Sequence, residues 1–470
     1  MRQVPVLIVG GGPVGLATAV ELAHHGVECL VVEPRAEVSW LRPRAKTTSA
    51  RSMELLRRWG LAETVRDRAP LPVSWSDEAV FATSLLGTEI TRIGGCFGLD
   101  LTGSDLAAEP GQQVAQPLVE EVLREAVGGA LRTGARVEAL EEDPDGVTAT
   151  LSSGERIRAR YVVGCDGARG VARDAIGARY EGNQGGRPNL NVVFRAPGLA
   201  ERVPHGPAVH YWVLNPDQPG LLGRLDLKET WWCIAQGVGH SDDPAGLVRN
   251  LVGADVEVEI LATDPWTARM LLVDRYASER IFLAGDAAHQ NPPWGGHGFN
   301  TGIGDAVNLG WKLAAVVQGW APPRLLTTYE TERRPIAADT IRTAATNMAT
   351  LAPELSSASA EFVHRTKTSE FHSLDLVLGY TYAGSPIVAG EGERLPHRWL
   401  APGRSLYDVL GRGFTLLGPR DEALENEARR LGVPLETVEM PCERTLVRPD
   451  QHVAWRGENN TIQQAIGGSL

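Results

Sequence analysis

The chain has 470 residues, of which 43% are hydrophobic and 22% are charged, and its formal net charge is −12 at pH 7. This composition is that of a globular protein long enough for two or three domains, and the acidic balance argues against nucleic acid or an anionic membrane as the main partner. The five cysteines are far apart and form no CxxC pair, which predicts a reduced, cytoplasmic protein. No apolar stretch approaches the ~20 residues that a transmembrane helix needs.

The first elements read as a strand, a glycine turn, a helix and a second strand that ends in an acid. An apolar run at residues 6–9 leads into Gly10-Gly11-Gly12-Pro13-Val14-Gly15, and the second strand ends at Glu33, eighteen residues after Gly15. Glycines allow a tight turn and close approach to a pyrophosphate, the helix N-terminus holds that group, and the acid binds a ribose hydroxyl. The pattern predicts a dinucleotide site at Gly10, Gly12, Pro13, Val14, Gly15, Glu33 and Arg35.

Two polar segments then precede predicted helices. Arg42 and Arg44 come before a helix that starts near Ser49, and Gln116 comes before an amphipathic helix. The alternative interpretations are a solvated basic helix start for the arginines and simple helix capping for the glutamine. Between these segments, residues 71–110 are glycine-rich and predict irregular structure beneath a substrate region.

The middle of the chain predicts two groups of strands. Residues 135–163 form three strands that lead to Asp166-Gly167, where a carboxylate and nearby arginines suit a pyrophosphate with bound waters. From about 180 to 270 the pattern changes to antiparallel strands at 189–195, 208–214, 221–227 and 230–236. Alternation in these strands predicts one buried face and one face that lines a pocket, although aromatic residues in strands more often pack against a core. The pocket candidates are His210, Trp212, Arg224 and Trp232.

The stretch 280–317 predicts a second strand-loop-helix unit. Its strand stops at Gly285-Asp286, and its helix is predicted from about Thr301, with Asn300 or Thr301 as the cap and Asp305 near the positive end of the helix dipole. Asp286 can accept from hydroxyls, glycines let backbone amides approach a flat ring, and the helix N-terminus can hold developing negative charge. An ordinary strand-loop-helix unit is the alternative. The candidate residues of the loop are Pro293, Trp294, Gly296, His297, Gly298 and Phe299.

Three segments together resemble a known family. GDAAH with PPWGGHGFNTGIGDAVNLGWKLA resembles the second FAD fingerprint of the single-component aromatic hydroxylases, the para-hydroxybenzoate hydroxylase-like class, and GCDGARG resembles its third motif. Trp294 and His297 depart from the usual PPTGGQG loop. A helical segment begins at Tyr329 and continues to about 370, and residues 386–470 resemble the thioredoxin-like C-terminal domain of the phenol and polyketide hydroxylase branch. Because Cys442 is the only cysteine there, we expect packing or dimerisation from this domain.

The resemblance implies an α/β fold with three parts. These are a Rossmann-type FAD-binding domain at 1–178 and 270–385, an antiparallel-sheet substrate domain at 179–269 with contributions from 71–110, and a thioredoxin-like domain at 386–470. The resemblance also implies cofactor contacts for Arg42 or Arg44, ribityl contacts for Gln116 and Asp286, and isoalloxazine contacts for Gly296 to Asn300. Cofactor roles for Asp166, Gly167, Gly285 and Pro293 complete the set.

The implied chemistry belongs to tightly and non-covalently bound FAD. NADPH or NADH is the transient reductant, O2 adds at flavin C4a, and the resulting hydroperoxide delivers one oxygen atom to a phenolic or polyketide-like aromatic substrate. No catalytic side chain, metal, nucleic acid or membrane is implied, and a homodimer is compatible with the pattern. The alternatives are Baeyer–Villiger oxygen insertion on the same fold and a non-catalytic flavin-binding protein.

Overall fold

The computed structural model describes residues 1–349, 359–458 and 460–468. Within these ranges the α-helices are α1 (Pro13–His24), α2 (Ala50–Arg58), α3 (Ala62–Arg68), α4 (Gln116–Val127), α5 (Val171–Ala175), α6 (Leu199–Arg202), α7 (Pro244–Val252), α8 (Gly298–Gln318), α9 (Thr328–Ala349), α10 (Ala360–Phe371), α11 (Leu374–Leu378), α12 (Glu422–Leu431) and α13 (Ile462–Ala465).

The strands fall into two large sheets and several small ones. They are β1 (Arg2–Val9), β2 (Cys29–Glu33), β3 (Thr47–Thr48), β4 (Ala79–Ala82), β5 (Glu89–Ile93), β6 (Gln112–Gln113), β7 (Leu131–Thr133), β8 (Val137–Asp143), β9 (Gly146–Leu151), β10 (Arg156–Gly164), β11 (Tyr180–Asn183), β12 (Pro188–Arg195), β13 (His210–Val213), β14 (Gly220–Arg224), β15 (Thr230–Gln236), β16 (Glu259–Thr267), β17 (Met270–Val273), β18 (Ile281–Leu283), β19 (His289–Gln290), β20 (Trp399–Ala401), β21 (Arg404–Ser405), β22 (Phe414–Leu417), β23 (Leu435–Val438), β24 (Thr445–Val447) and β25 (Val453–Arg456).

The first large sheet has seven strands in the order β7-β2-β1-β10-β9-β8, with β18 beside the end of β10. β1 runs parallel to both β2 and β10, and β18 runs parallel to β10. The carboxyl ends of these four strands therefore meet at one edge, which is where open parallel sheets bind their ligands. The three strands predicted over 135–163 are confirmed as β8, β9 and β10.

The second large sheet has seven strands in the order β16-β12-β15-β14-β13-β4-β5. The antiparallel strands predicted from 180 to 270 are present, but the third ends at Arg224 because residues 226–229 turn around the Asp226 carboxylate, which accepts from the N–H groups of Lys228 and Thr230 at 2.8 and 3.0 Å. The prediction of irregular structure for 71–110 is wrong where β4 and β5 complete the sheet. β4 pairs with β13 in parallel, and sequence periodicity does not reveal a partner so far along the chain.

The two faces of this second sheet have different neighbours. The outer face packs Tyr211, Leu222 and Trp231 against α7, and the inner face packs Trp212 and Trp232 with the Trp294 loop and α10. Because side chains alternate along a strand, Arg224 lies on the outer face with Leu222.

The prediction that Arg224 lines the pocket is therefore wrong. Its guanidinium donates to the carbonyl oxygens of Asp226 and Lys228 at 2.9 and 2.7 Å and lies 5.4 Å from the centre of the Trp231 ring. These contacts hold the side chain in the outer layer, away from the inner face.

The C-terminal part is a small thioredoxin-like α/β unit. Its four strands are ordered β23-β22-β24-β25, with β22 and β23 parallel across α12 and the other neighbours antiparallel. Buried ion pairs join it to the helices below, since Arg448 donates to Glu332 of α9 at 2.7 and 2.8 Å. Its cysteine, Cys442, is a half-buried free thiol.

The predicted helix from Tyr329 to about 370 corresponds to α9 and α10. The part of that prediction at 350–358 lies outside the described residues. Among the helices of the described ranges, none has the length and apolar character needed to cross a membrane.

Candidate cofactor and substrate site

The glycine turn after β1 is closed so tightly that two of its positions exclude a side chain. A Cβ on Gly15 would lie 2.0 Å from the carbonyl oxygen of Gly10, and one on Gly10 would lie 2.4 Å from that of Cys165. Gly10 also has a φ of 101°, a region that favours glycine. By contrast, a Cβ on Gly12 would meet nothing within 4 Å, so the open space of the turn lies in front of the α1 N-terminus, where Pro13 is the first helical residue. This is the form of a pyrophosphate cradle.

Glu33 is held rigidly beside this turn. One carboxylate oxygen accepts from the Gly11 N–H at 2.7 Å, and the other accepts from the Arg35 N–H at 2.9 Å and from its guanidinium at 2.7 Å. Burial alone would raise the pKa of Glu33, but the hydrogen bonds and charge of Arg35 lower it. Arg35 is in turn paired with Glu120 at 2.9 Å. The carboxylate therefore stays ionised, as a ribose hydroxyl acceptor requires.

Val14 brings the first glycine turn and the Gly285-Asp286 turn together. A Cβ added at Gly285 or Gly302 would lie 2.9 or 2.5 Å from a methyl group of Val14. The valine thus fits between the turn after β18 and the second turn of α8. The two distant motifs consequently form one wall.

Asp166 follows β10, between these two turns. One of its oxygens accepts from the Ala172 N–H at 3.0 Å, and the other is buried without a partner among the described residues. Burial raises the pKa of Asp166. Gly167 has a φ of 75°, and a Cβ on Gly170 would lie 1.9 Å from the Asp166 carboxyl carbon. A buried acceptor without a donor at this edge is what a bound ligand or water satisfies.

Asp286 presents its carboxylate outwards. The residue is exposed, and its backbone oxygen accepts from the Tyr180 hydroxyl at 2.5 Å, which fixes the turn and leaves the side chain open to a ligand. Gly285 has a φ of 60° in the same turn.

Asp305, expected near the positive end of a helix dipole, instead anchors the site from below. It lies well inside α8 and is fully buried, with one oxygen 3.1 Å from the Gly285 nitrogen and 2.9 Å from His289 Nε2. Its other oxygen accepts from Arg333 at 2.8 Å. Burial alone would raise the pKa of Asp305, but Arg333 and His289 lower it. Sequence reasoning missed this role because neither partner is near in sequence.

The helix after the loop begins at Gly298, three residues before the predicted start at Thr301, and His297 is its N-cap position. Asn300 does not cap it. Its side chain accepts from the Ser49 N–H and the Ser52 hydroxyl at 3.0 and 2.7 Å and donates to the Gly296 carbonyl at 2.7 Å. Asn300 therefore binds through its side chain to the protein, and the first backbone N–H groups of α8 remain available to a ligand.

Trp294 and His297 point to different places. Trp294 is 7% exposed and packs on the inner face of the second sheet, with its ring centre 5.8 Å from that of Trp266. His297 folds back so that a Cβ on Gly295 would lie 2.4 Å from its Nε2, and Pro293 is exposed at the turn. Burial lowers the pKa of His297 to about 4, so the ring is neutral at neutral pH.

The structure separates the two arginines that the sequence left equivalent. Arg42 pairs with Asp264 of β16 at 3.0 Å, which ties the loop after β2 to the second sheet. Arg44 is exposed, and no side-chain hydrogen bond or ion pair of it is present among the described residues. Gln116 begins α4 with a half-buried side chain, and its backbone N–H donates to Ala45 at 2.8 Å.

A cluster of aromatic rings, called the aromatic chamber below, lies between the inner face of the second sheet and the Trp294 loop. His210 contacts the rings of Phe97, Trp232 and Phe371 edge-on, with centre distances of 5.3, 5.5 and 6.3 Å. Burial lowers the pKa of His210 to about 3, which keeps it neutral. The chamber nitrogens that are buried without a hydrogen-bond partner in the described part of the chain are His210 Nδ1 and the indole nitrogens of Trp212, Trp232 and Trp266.

These features together suit FAD and a flat ligand beside it. The glycine cradle, the ionised acid at the end of β2 and the free carboxylate of Asp286 match a pyrophosphate, a ribose and a ribityl chain. The unsatisfied donors of the chamber match oxygen atoms on an aromatic ring. The fold and site thus define a flavoprotein.

The comparisons identify the family. Residues 3–344 match the family described as "FAD binding domain", and residues 389–468 match "Aromatic-ring hydroxylase, C-terminal". The chain therefore belongs to the FAD-dependent aromatic-ring hydroxylases, as the sequence resemblance implied, and it is a flavin monooxygenase.

Three similar proteins illustrate the relationship. Tetracenomycin B2 monooxygenase-dioxygenase of Streptomyces olivaceus is 33% identical over an alignment that covers 97% of this chain and 96% of that protein. The rebeccamycin biosynthetic enzyme RebC with reduced flavin superposes with a TM-score of 0.90 at 35% identity, and aklavinone-11 hydroxylase with FAD and aklavinone superposes with a TM-score of 0.87 at 27% identity. Each of these two structures covers 99% of this chain and is itself covered to 99%.

Proposed function

We propose that this monooxygenase hydroxylates a polycyclic phenolic aromatic of the polyketide type, with NADPH or NADH as its transient reductant. The observation that carries the proposal is the aromatic chamber, whose buried indole and imidazole nitrogens lack partners among the described residues. A planar substrate with several ring oxygens satisfies those donors and stacks on the same rings. Similar proteins that act on tetracenomycin B2 or bind aklavinone support this substrate class.

The chain's own residues bind and orient the cofactor in this proposal. Glu33 accepts from the adenosine ribose, the first turn of α1 holds the pyrophosphate, and Asp286 accepts from the ribityl chain. Arg44 is the arginine that reaches FAD, since Arg42 is engaged by Asp264 at 3.0 Å. The N–H groups at the start of α8 would hold negative charge that develops on the flavin ring. We propose tight, non-covalent binding.

When bound, FAD supplies the redox chemistry by accepting a hydride from the nicotinamide and activating O2. The protein excludes water with the Trp294 ring and the inner face of the second sheet. Neutral His210 and the indole N–H groups orient the substrate ring by hydrogen bonds. Since the sequence has one G-x-G-x-x-G unit, which the FAD site uses, we propose that the nicotinamide binds transiently and that the substrate controls flavin reduction.

Rapid mixing tests this proposal. The holoenzyme is mixed with NADPH or NADH, with and without hydroxylated anthraquinones, naphthols or simple phenols, and flavin bleaching is followed. We expect slow reduction alone, strong stimulation by the polycyclic phenols and a product with one added oxygen. Reduction that no aromatic accelerates would contradict substrate control, and consumption of NAD(P)H without an oxygenated product from any aromatic would contradict the proposed activity.

A further inference from the structure

Lys46 lies where the segment before β3 contacts the second sheet. The short ribbon of β3 and β6 holds its backbone, because the Lys46 carbonyl accepts from the Val114 N–H at 2.9 Å and the neighbouring Ala45 carbonyl accepts from Gln116 at 2.8 Å. Its side chain extends to the inner face of the second sheet, where Nζ lies 4.2 Å from the centre of the Trp232 ring. The ammonium group therefore reaches the wall of the aromatic chamber.

This ammonium group has no acidic partner among the described residues. The chain has four lysines, and the two that are fully buried each have a carboxylate: Lys312 pairs with Glu332 at 2.7 Å and Lys367 with Glu370 at 2.9 Å. Lys228, the remaining one, is exposed. Lys46 alone faces a chamber wall without a counter-ion in the described part of the chain.

The groups around Lys46 leave its charge uncompensated. Lys46 and Asp264 line one small cavity, but the Asp264 carboxylate is paired with Arg42 at 3.0 Å. Cys233 of β15 and neutral His210 of β13 contribute no full charge, and the side-chain oxygen of Asn191 is buried without a partner in the described ranges. Burial lowers the pKa of Lys46 to about 8, so the charged form still predominates at neutral pH. A half-buried cation in such surroundings gains most from an anion supplied from outside the protein.

We infer that Lys46 is a specificity-determining residue that binds an oxyanion of the substrate, either an aromatic carboxylate or an ionised phenol, while the substrate ring lies against Trp232. This inference rests on the proposed function, because it assigns the ligand of the same chamber. Charge-assisted hydrogen bonds are shorter and stronger than neutral ones, so Lys46 selects the anionic form of an aromatic over its neutral analogue. The unpartnered indole nitrogens of Trp212 and Trp266 complement other oxygens of the same ring system.

Binding without turnover tests this inference. The FAD-loaded enzyme is titrated calorimetrically, without nicotinamide, with anthraquinone-2-carboxylate and with the uncharged anthraquinone-2-carboxamide. A second pair, 2-hydroxy-1,4-naphthoquinone, whose ring hydroxyl is already ionised at neutral pH where Lys46 is charged, and 2-methoxy-1,4-naphthoquinone, separates a ring oxyanion from a carboxylate. We expect the wild type to prefer at least one anion about 10- to 100-fold. Lys46→Met should abolish that preference, Lys46→Arg should keep most of it, and Lys228→Met is the matched control that should keep all of it.

The pH dependence gives an independent reading of the same charge. As the pH rises through the pKa of Lys46, its positive charge is lost, so the preference for the carboxylate probe should fall. Asp264, Cys233, His210 and Arg42 are the other ionisable groups that face Lys46, and Lys46→Met leaves all of them in place. A fall with pH that survives in Lys46→Met would assign the effect to one of those groups and overturn the inference.

Three other results would also overturn it. The first is a wild type that binds the neutral probes as tightly as both anions, a result that does not depend on whether any variant folds. The second is Lys46→Met with unchanged anion preference. The third is a ligand-free shift of the flavin absorption spectrum in Lys46→Met with the preference intact, which would place Lys46 on the cofactor. The titrations contain no NAD(P)H and measure binding alone. A failure of the proposed hydroxylase activity is therefore distinguishable from a failure of this inference.

Discussion

Replacing Asp305 with asparagine removes one charge from beneath the Gly285-Asp286 turn while keeping the size of the side chain. In the wild type the two carboxylate oxygens face three groups: the Gly285 nitrogen at 3.1 Å, His289 Nε2 at 2.9 Å and Arg333 at 2.8 Å. An asparagine has one acceptor oxygen. If that oxygen serves Arg333, its NH2 group faces the Gly285 N–H, and two donors then oppose each other.

The expected cost follows from these contacts. Arg333 is buried, and breaking a buried ion pair from one side costs about 3–5 kcal/mol because the remaining charge has no partner. The exchange also disturbs the turn that presents Asp286, so FAD retention should fall together with stability.

The free energy of unfolding at acid pH should show that the ionised Asp305 carboxylate stabilises the fold. The folded-state pKa of Asp305 is lowered, so the ionised carboxylate contributes stability above its unfolded-state pKa and loses this contribution as the pH falls through its folded-state pKa. The difference in free energy of unfolding between wild type and Asp305→Asn should therefore become smaller as the pH falls below the usual pKa range of a carboxyl group.

Denaturant unfolding followed by circular dichroism, with FAD release followed by fluorescence, measures both effects. Asp339→Asn is the matched control, because Asp339 is an exposed partner of Arg342 on α9 and should change stability by less than about 1 kcal/mol. The reasoning is refuted if Asp305→Asn unfolds within about 1 kcal/mol of the wild type at neutral pH and retains FAD equally well.

Three further predictions concern cofactor, substrate and the C-terminal domain. Asp286→Ala should weaken FAD binding by about 1.5–3 kcal/mol through loss of a charged acceptor, and equilibrium dialysis with unchanged affinity would contradict the ribityl role. Trp212→Ala should reduce the stimulation of flavin reduction by aromatics more than it reduces FAD binding, whereas Arg224→Ala, on the outer face, should leave the stimulation intact in rapid mixing. Cys442→Ser should leave NAD(P)H turnover unchanged because this domain has no second cysteine; a large loss of rate would reveal a contact of the thiol.

The local parts of the site could be predicted from the sequence because their chemistry is contained in short motifs. The turn at Gly10 and Gly15 excludes side chains wherever it occurs, and an acid at the end of the second strand has one geometric position relative to it. The family resemblance extended this to Asp166 and Asp286, whose places at adjacent strand ends the structure shows. Their contacts with FAD, and the domain boundaries, stay predictions.

What the sequence did not reveal depends on partners that are distant along the chain. β4 joins the second sheet by parallel pairing with β13, and Asp305 owes its role to His289 and Arg333. The sequence predicts Arg224 on the pocket face because alternation alone does not say which face of a sheet its neighbours cover. No sequence pattern marks Lys46, because its importance comes only from its position where the first domain meets the second sheet.

The C-terminal domain has a structural explanation that needs no redox chemistry. Arg448 contributes two hydrogen bonds to Glu332 of α9, and Gln451 accepts from Arg51 of α2 at 2.7 Å. The start of α2 is bound through the Ser52 hydroxyl to Asn300, in the first turn of α8, at 2.7 Å. The domain is thus connected, through buried polar contacts, to α2 and, by way of Ser52 and Asn300, to the first turn of α8. Because a buried ion pair is costly to break from one side, removing this domain would take away the Arg448 guanidinium and leave Lys312 of α8 as the cation paired with Glu332, which would weaken the contact between α8 and α9.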